Sequence, residues 1–286
     1  MQMAMASSKK DRTTKKILFY IGLVIVLVGS LFPFIIMFMT SVKSPAEAIA
    51  QTPTLLPKVW TLEHYRDIFN PDLFPYLTYF INSIVVSLIV AFISVVFSIF
   101  GAYAMSKLKF FGRTTINSSF YVVYMFSGLL LIVPLFKIIS SLGLYNTKTA
   151  LTIALIVQTL PAAIFMLKSY FDTIPDDIEE AAMIDGLNRV QIIFYIIMPL
   201  SISGIISVFV YAFMIAWNDF LFASVFLSSS ENFTLPIGLN ALFSTPDYVW
   251  GRMMAASIVT ALPVILMYGI SERFIKGGAT EGGVKG

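Results

Sequence analysis

The sequence predicts an all-α fold, a polytopic membrane protein of six transmembrane helices with both termini in the cytoplasm. Three observations predict it. Of 286 residues, 58% are hydrophobic and only 12% charged, where a soluble domain carries about 25% charged residues. The apolar residues gather into long charge-free runs. Lys and Arg concentrate in alternate connecting segments. Too little charge is available to cover the molecule, so part of its surface faces lipid.

The first run, 17–42, follows a basic, polar stretch at 1–16. It exceeds the apolar core of a signal peptide and ends in Thr-Ser-Val-Lys without a small-residue cleavage site, so it is expected as a retained span. The outer loop at 43–75 carries Pro45, Pro53, Pro57, Pro71 and Pro75 with Trp60, His64, Tyr65 and Phe69. Short interfacial helices are expected there. His64 is the sole histidine, and no chemical role is expected for it. Further runs cover 73–106, 114–136, 149–167, 190–218 and 253–271. Crossing about 30 Å of hydrocarbon as a helix takes about 20 residues, so six spans follow. Gly101 and Ala102, late in span 2, are either a close-packing site or simply tolerated.

With the amino terminus inside, the inner segments carry 13 Lys and Arg and the outer segments 6, which agrees with the positive-inside rule. The layout is one membrane domain over 1–286, with a cytoplasmic amino terminus at 1–16, a cytoplasmic loop at 168–199, an outer loop at 223–252 and a cytoplasmic tail at 272–286. Cysteine is absent, which excludes disulfides and thiolate metal sites. The net charge of +3 sits beside spans and marks orientation, not a nucleic-acid footprint. No catalytic residue and no metal site is assigned.

One cytoplasmic segment has a design. Residues 168–199 hold the densest acidic cluster: Asp172, Asp176, Asp177, Glu179, Glu180 and Asp185. Thr173 with Asp176 three residues on resembles a capping box, and Pro175 suits a first helical turn. The early acids complement the positive end of the helix dipole. Gly186 takes a left-handed conformation without steric cost and stops the helix. Asn188, with Gln191 three residues later, caps a second helix, and Pro199 marks where span 5 begins. Ala181 and Ala182, with Ile178 and Met183 or Ile184, offer a small-residue face that could sink into a partner's groove. The competing reading is an amphipathic loop lying on its own membrane domain.

Glu180-Ala181-Ala182, three residues, Gly186, nine residues, Ile196 and then Pro199 resembles the EAA loop of ABC importer permeases. Met198 stands where that pattern has Leu. Ile174-Pro175, Asp185-Gly186, Asn82-Ser83, the stretch from Ala102 to Lys107 and Trp217-Asn218-Asp219-Phe220 resemble the sugar-importing branch. The end, Gly282-Gly283-Val284-Lys285-Gly286, is similar to the tail of the maltose-type second permease, with Gly278 to Glu281 departing from it.

The resemblance implies a type I ABC importer permease fold in the bacterial cytoplasmic membrane, working by alternating access. It implies that Glu180, Ala181, Ala182, Asp185 and Gly186 couple to a separate ATPase, with Val284, Lys285 and Gly286 as a tail contact. The implied partners are a homologous second permease, two ATPase subunits, an extracytoplasmic solute-binding protein and a saccharide, with no nucleic acid. No cofactor is expected on this chain. ATP and Mg belong to the partner ATPase, since no Gly-Lys dipeptide is available for a phosphate-cradling loop.

The candidate substrate pathway is Tyr124, Gln158, Trp217, Asn218 and Asp219, from a wider set with Asn117, Ser118, Ser119, Tyr121, Thr159 and Tyr211. Amides, hydroxyls and rings suit sugars, and no Lys or Arg lies in a span core. The same side chains also serve as hydrogen-bonding glue between helices. Trp217 fits an interface anchor equally, and Asp219 lies near the outer end of span 5. Import of glycerol phosphate, polyamine or peptide is the alternative within the family. A secondary transporter is the alternative outside it, although neither intramembrane acids nor inverted repeats are evident. A membrane scaffold is weaker, because it leaves the capped loop without a reason.

Overall fold

A computed structural model describes residues 2–50, 52, 54–125, 128–242 and 250–281, with side chains for all of these except 2–14, 121, 123–125 and 275–281. No strand occurs among the described residues. In chain order the helices are α1 (Gln2–Ser41), α2 (Pro45–Ala48), α3 (Glu63–Ile68), α4 (Tyr76–Lys107), α5 (Arg113–Met125), α6 (Gly128–Ser141), α7 (Lys148–Phe171), α8 (Asp176–Ile184) and α9 (Arg189–Ile192). A π-helical turn (Ile193–Ile197) leads into α10 (Met198–Leu200). Then come α11 (Ile202–Trp217), α12 (Leu221–Phe226), a 3₁₀ turn (Ser230–Asn232), α13 (Leu235–Leu242) and α14 (Trp250–Glu281). The short α2 and α3 match the helices expected in the first outer loop.

Four helical stretches are long and apolar enough to cross a membrane: Lys15–Ser41, Tyr76–Lys107, Lys148–Phe171 and Trp250–Phe274. A bent pair, Arg189–Leu200 and Ile202–Trp217, makes a fifth if it acts as one span. Two of the charge-free runs are not single straight helices. The run 190–218 is not one straight helix, because its two parts meet at 84°. Ser201, between them, leaves helical geometry at φ −110 and ψ 21. Pro199, which lacks an N–H and crowds the preceding turn, and the π turn before it account for the break. The run 114–136 falls in two helices, α5 and α6, with residues 126 and 127 outside the described residues. At 14 residues, α6 alone reaches about 21 Å, short of the hydrocarbon thickness.

The described residues form two compact units, one from 1–74 and 246–259, the other from 75–245 and 260–286. In the first, α1 buries none of its apolar window within the chain, as suits a helix that is hydrophobic all round. The segment after α1 is pinned by the Lys43 ammonium on the Thr54 carbonyl. Glu47 is pinned likewise, accepting from the Thr54 hydroxyl at 2.6 Å, and Arg252 pairs with Asp67 at 2.9 Å.

In the second unit α4 packs along α7 and α11. Close approach explains two glycines. A Cβ on Gly101 would lie 3.0 Å from Ile164 Cδ1, and one on Gly204 only 2.5 Å from the Tyr170 ring. The packing reading of Gly101 is thus the one the structure takes. Ser94 and Thr159 meet at 2.9 Å across the buried α4–α7 seam. Two apolar clusters fill the unit. One joins Val86, Val90, Leu151, Leu155, Phe222 and Phe226. The other joins Ala102, Tyr103, Leu167 and Phe171 to Ile174, Ala182, Ile192 and Ile197, and so glues the 172–200 segment to the ends of α4 and α7.

Candidate functional site

The segment after α7 is built as a sharp reversal. Asp172 closes α7, and the Thr173 hydroxyl donates back to the Tyr170 carbonyl at 2.6 Å. The expected cap by Thr173 is therefore not made. Ile174 precedes a proline, and that neighbour is driven out of the α region. Helix α8 consequently starts only at Asp176, after Pro175 at φ −58 and ψ 141, with no side-chain cap. Asp176, Asp177 and Glu179 in its first turn face the positive end of the helix dipole. Gly186 ends α8 at φ +87, a left-handed conformation suited to glycine. The second predicted cap is present. The Gln191 amide N–H donates to Asn188 Oδ1 at 3.0 Å, and Asn188 N–H donates to Gln191 Oε1 at 2.8 Å.

This geometry splits α8 into two faces. Glu179 and Ala182 are buried against the chain. Glu180, Ala181, Asp185 and Gly186 are exposed, as are Ile178, Met183 and Ile184, the last at 85%. A helix with an apolar residue that bare has surface left to cover.

Several side chains moor the segment to the C-terminal end of α4. Lys107, almost wholly buried, donates to the Asp176 carboxylate at 2.7 Å and to the Ile174 carbonyl at 2.6 Å. The Ser106 hydroxyl donates to Asp172 at 2.6 Å, and Lys168 pairs with the same carboxylate at 2.5 Å. Tyr103 donates to Glu179. Arg113 donates to the carbonyls of Met105 and Ser106 at 2.9 and 2.7 Å.

The Lys107 hydrogen bond and charge hold the Asp176 carboxyl below its ordinary range. Burial raises the Asp172 carboxyl, but hydrogen bonds from Lys168 and Ser106 outweigh it and leave it lowered. A cavity of about 240 Å³ opens here, lined by Lys107, Lys109, Asp176, Glu180, Met183 and Arg189 among others. Its walls carry both signs of charge. Sequence reasoning named these residues, in the acidic cluster and in the stretch from Ala102 to Lys107, but missed that they meet. Tyr103 and Lys107, four residues apart at a helix end, were the available signal.

The candidate pathway residues are dispersed. Tyr124 falls in α5 with its side chain outside the described residues. Gln158, on α7, is half-buried, and its buried Oε1 has no hydrogen-bond partner among the described residues. Trp217 is 2% exposed, stacked on Phe213 at 5.7 Å and edge-to-face with Phe80 at 5.6 Å. Asn218 is exposed and donates to the Met214 carbonyl at 2.8 Å. Asp219 caps α12, accepting from the Ala223 and Phe222 amides at 2.9 and 3.3 Å. Tyr211 lines a second cavity of about 300 Å³ with Ser207, Met214, Tyr268 and Ser271. The latter two had gone unremarked, although their spacing of three puts them on one face of α14. Val284, Lys285 and Gly286 lie outside the described residues. Among the described residues, no group of three or more His, Asp or Glu is placed to hold a metal ion.

Residues 3–277 match the family model described as "Binding-protein-dependent transport system inner membrane component". The chain is 67% identical to the inner membrane ABC transporter permease protein YcjP of Escherichia coli over 282 residues, 99% of this chain and all of that one. It is 35% identical to the trehalose/maltose transport system permease protein MalG of Thermococcus litoralis, covering 97% of this chain and 99% of that one. Among solved structures, it is similar to a chain of a bacterial ABC transporter involved in import of the acidic polysaccharide alginate. The TM-score is 0.78 at 24% identity, over 90% of this chain and 95% of that one.

Proposed function

Since the chain belongs to the family of binding-protein-dependent transport system inner membrane components, multi-pass proteins of the cytoplasmic membrane, we propose that it is the permease subunit through which an ATP-driven importer moves a carbohydrate. The two-faced helix α8 carries the reading. It is moored to α4 on its inner face and leaves Glu180, Ala181, Asp185 and Gly186 bare on the other. A helix held this firmly and left this exposed is built to be pushed by something else.

The remaining parts follow from that role. Helices α5 and α6 together serve as the third span and α11 as the fifth, which makes six with both termini cytoplasmic. The cytoplasmic loop docks on an ATPase that binds ATP and Mg. One such loop per permease calls for two permeases, this chain and a homologous companion, over two ATPase subunits. A solute-binding protein delivers the sugar on the outer side, and Val284, Lys285 and Gly286 add a contact to the ATPase. A saccharide is favoured because the span cores offer amides, hydroxyls and rings without cations, and the relative from Thermococcus litoralis carries trehalose and maltose in its name.

The experiment is reconstitution. The chain is co-expressed with the companion permease and ATPase subunits of its own system, purified, and placed in vesicles with the solute-binding protein. Glu180→Lys and Gly186→Val are expected to shed the ATPase or to uncouple hydrolysis from uptake. Ser229→Trp on the outer loop is expected to leave attachment intact. Normal attachment and coupled uptake in both loop variants would overturn the assignment.

A further inference from the structure

Glu179 and Glu180 are adjacent, yet they meet different surroundings. Glu180 is exposed. Glu179 is 6% exposed, and its carboxylate oxygen Oε1 accepts the hydroxyl hydrogen of Tyr103 on α4. The Arg189 guanidinium on α9 reaches the same oxygen, at 3.7 Å. Three elements thus meet at one carboxylate. Tyr103 lies one turn before Lys107 on α4, and Lys107 grips Asp176 at 2.7 Å. Asp176 and Glu179 are in turn three apart on α8, so two side chains of α4 hold one face of α8 at successive points. The apolar neighbours of this joint, Ile174, Ala182 and Ile192, belong to the same packed cluster as Ala102, Tyr103 and Leu167.

A carboxylate buried in that setting is costly unless paired. Buried pairs are weak contributors to net stability and are best attested as devices that select one geometry over others. Ser106 and Lys107 tie the turn and the first residue of α8 to α4, whereas Tyr103 reaches further along α8, to Glu179. We propose that Glu179 is a positioning residue, latching α8 to the C-terminal end of α4 so that displacement of α8 by its partner moves α4 and is not absorbed by the 172–175 turn. The inference rests on the reading of α8 as the ATPase-coupling helix. It assigns the two neighbouring glutamates separate work: Glu180 meets the partner, and Glu179 carries its motion inward to α4, which packs on α7 and α11.

The test uses the full complex in vesicles and reads solute imported per ATP hydrolysed, ATPase retention and thermal midpoint. Glu179→Ala and Tyr103→Phe are expected to retain the ATPase and to hydrolyse ATP. Import per ATP should fall by roughly fivefold or more, in the range of a lost coupling interaction. The double variant should be no worse than Glu179→Ala, since both remove one link. Glu179→Gln keeps an oxygen that accepts from Tyr103 and should recover most of the ratio. An unchanged ratio in Glu179→Ala and Tyr103→Phe overturns the latch. So does loss of ATPase and thermal midpoint in step with import, which marks a merely structural residue. If Glu180→Lys sheds the ATPase while Glu179→Ala behaves as wild type, the latch alone is wrong. If Glu180→Lys also behaves as wild type, the coupling-helix reading itself falls.

Discussion

Ala181 and Ala182 are chemically identical neighbours, but α8 turns them, about 100° apart, to different surroundings. Ala182 is 5% exposed and packs with Ile174 and Ile192, whereas Ala181 faces outward. Ala182→Trp should therefore overpack the chain's own interior, costing about 1–3 kcal/mol, and lower the thermal midpoint of the permease without any ATPase present. Ala181→Trp should leave that midpoint unchanged and act only on ATPase retention. A pull-down set beside a melting curve separates them, and a lowered midpoint for Ala181→Trp contradicts the assignment of faces. Gly186 tells a similar story through the backbone. A Cβ there meets nothing within 4 Å, but φ is +87, so Gly186→Val should cost about 1–2 kcal/mol from conformation alone.

At the scale of elements, the N-terminal parts of α4 and α7 are stitched to the segment between α12 and α13. Asn82 donates to the carbonyls of Glu231 and Phe233, both at 2.9 Å, and accepts from Lys148 at 2.9 Å. Ser83 accepts from the Leu235 amide at 2.7 Å. Asn146, held at φ +59, accepts from the amides of Ser228 and Ser229 at 2.9 and 3.0 Å. These bonds hold residues 228–235 to the second unit. Asn82→Ala leaves two carbonyls and an ammonium without partners, a loss of about 1–3 kcal/mol. Hydrogen exchange over 228–238 should rise in that variant while exchange in α8 stays unchanged. Equal protection in both proteins would show that the stitching contributes nothing.

At the scale of the whole molecule, acid should act on the segment around α3 and on the 172–190 segment at different pH. Burial holds His64 below its ordinary 6.5, against the opposing charges of Asp67 and Glu63 and with help from Arg252. A histidine with a lowered folded value adds stability above its unfolded value and loses it as pH falls through the folded one. The segment around α3 should thus begin to loosen below about pH 6.5. Asp172 and Asp176 are lowered from 3.8. Their stability is present above that value and is lost only below about pH 4. Limited proteolysis between pH 7.5 and 5.5 should expose 43–68 before 168–190. His64→Asn should flatten the dependence, and simultaneous exposure of both segments would contradict it. Ligand charge belongs to this scale too. An anion entering span cores without cations meets no compensation from this subunit, and each 1.4 kcal/mol lost is about tenfold in affinity. Uptake of a neutral saccharide should exceed that of a small phosphorylated solute by about tenfold or more in the reconstituted vesicles.

The class of this protein, its apolar stretches and the local turns of the 172–200 segment were legible in the sequence. They depend on composition, on periodicity and on local backbone chemistry. Charge-free length marks lipid whatever the neighbours are. Gly186 needs its left-handed turn, and Asn188 with Gln191 closes a local ring of hydrogen bonds. Pro175 sets where α8 begins by sterics within the chain alone. Even the missed cap at Thr173 was local, since Pro175 forbids the helix that Thr173 would have started. Tertiary structure alone decided the rest. Which alanine of α8 faces inward, that Glu179 meets Tyr103 at a separation of 76 residues, and that Trp217 spends its ring on Phe213 and Phe80 all depend on where distant helices come to lie. So does the angle at the break in 190–218, 84°, although Pro199 marked its place in the sequence. Hydropathy sums over a stretch and is blind to direction. Direction is set by which surfaces of α4, α7 and α11 fit together, and that fit is a property of pairs of segments far apart in the chain.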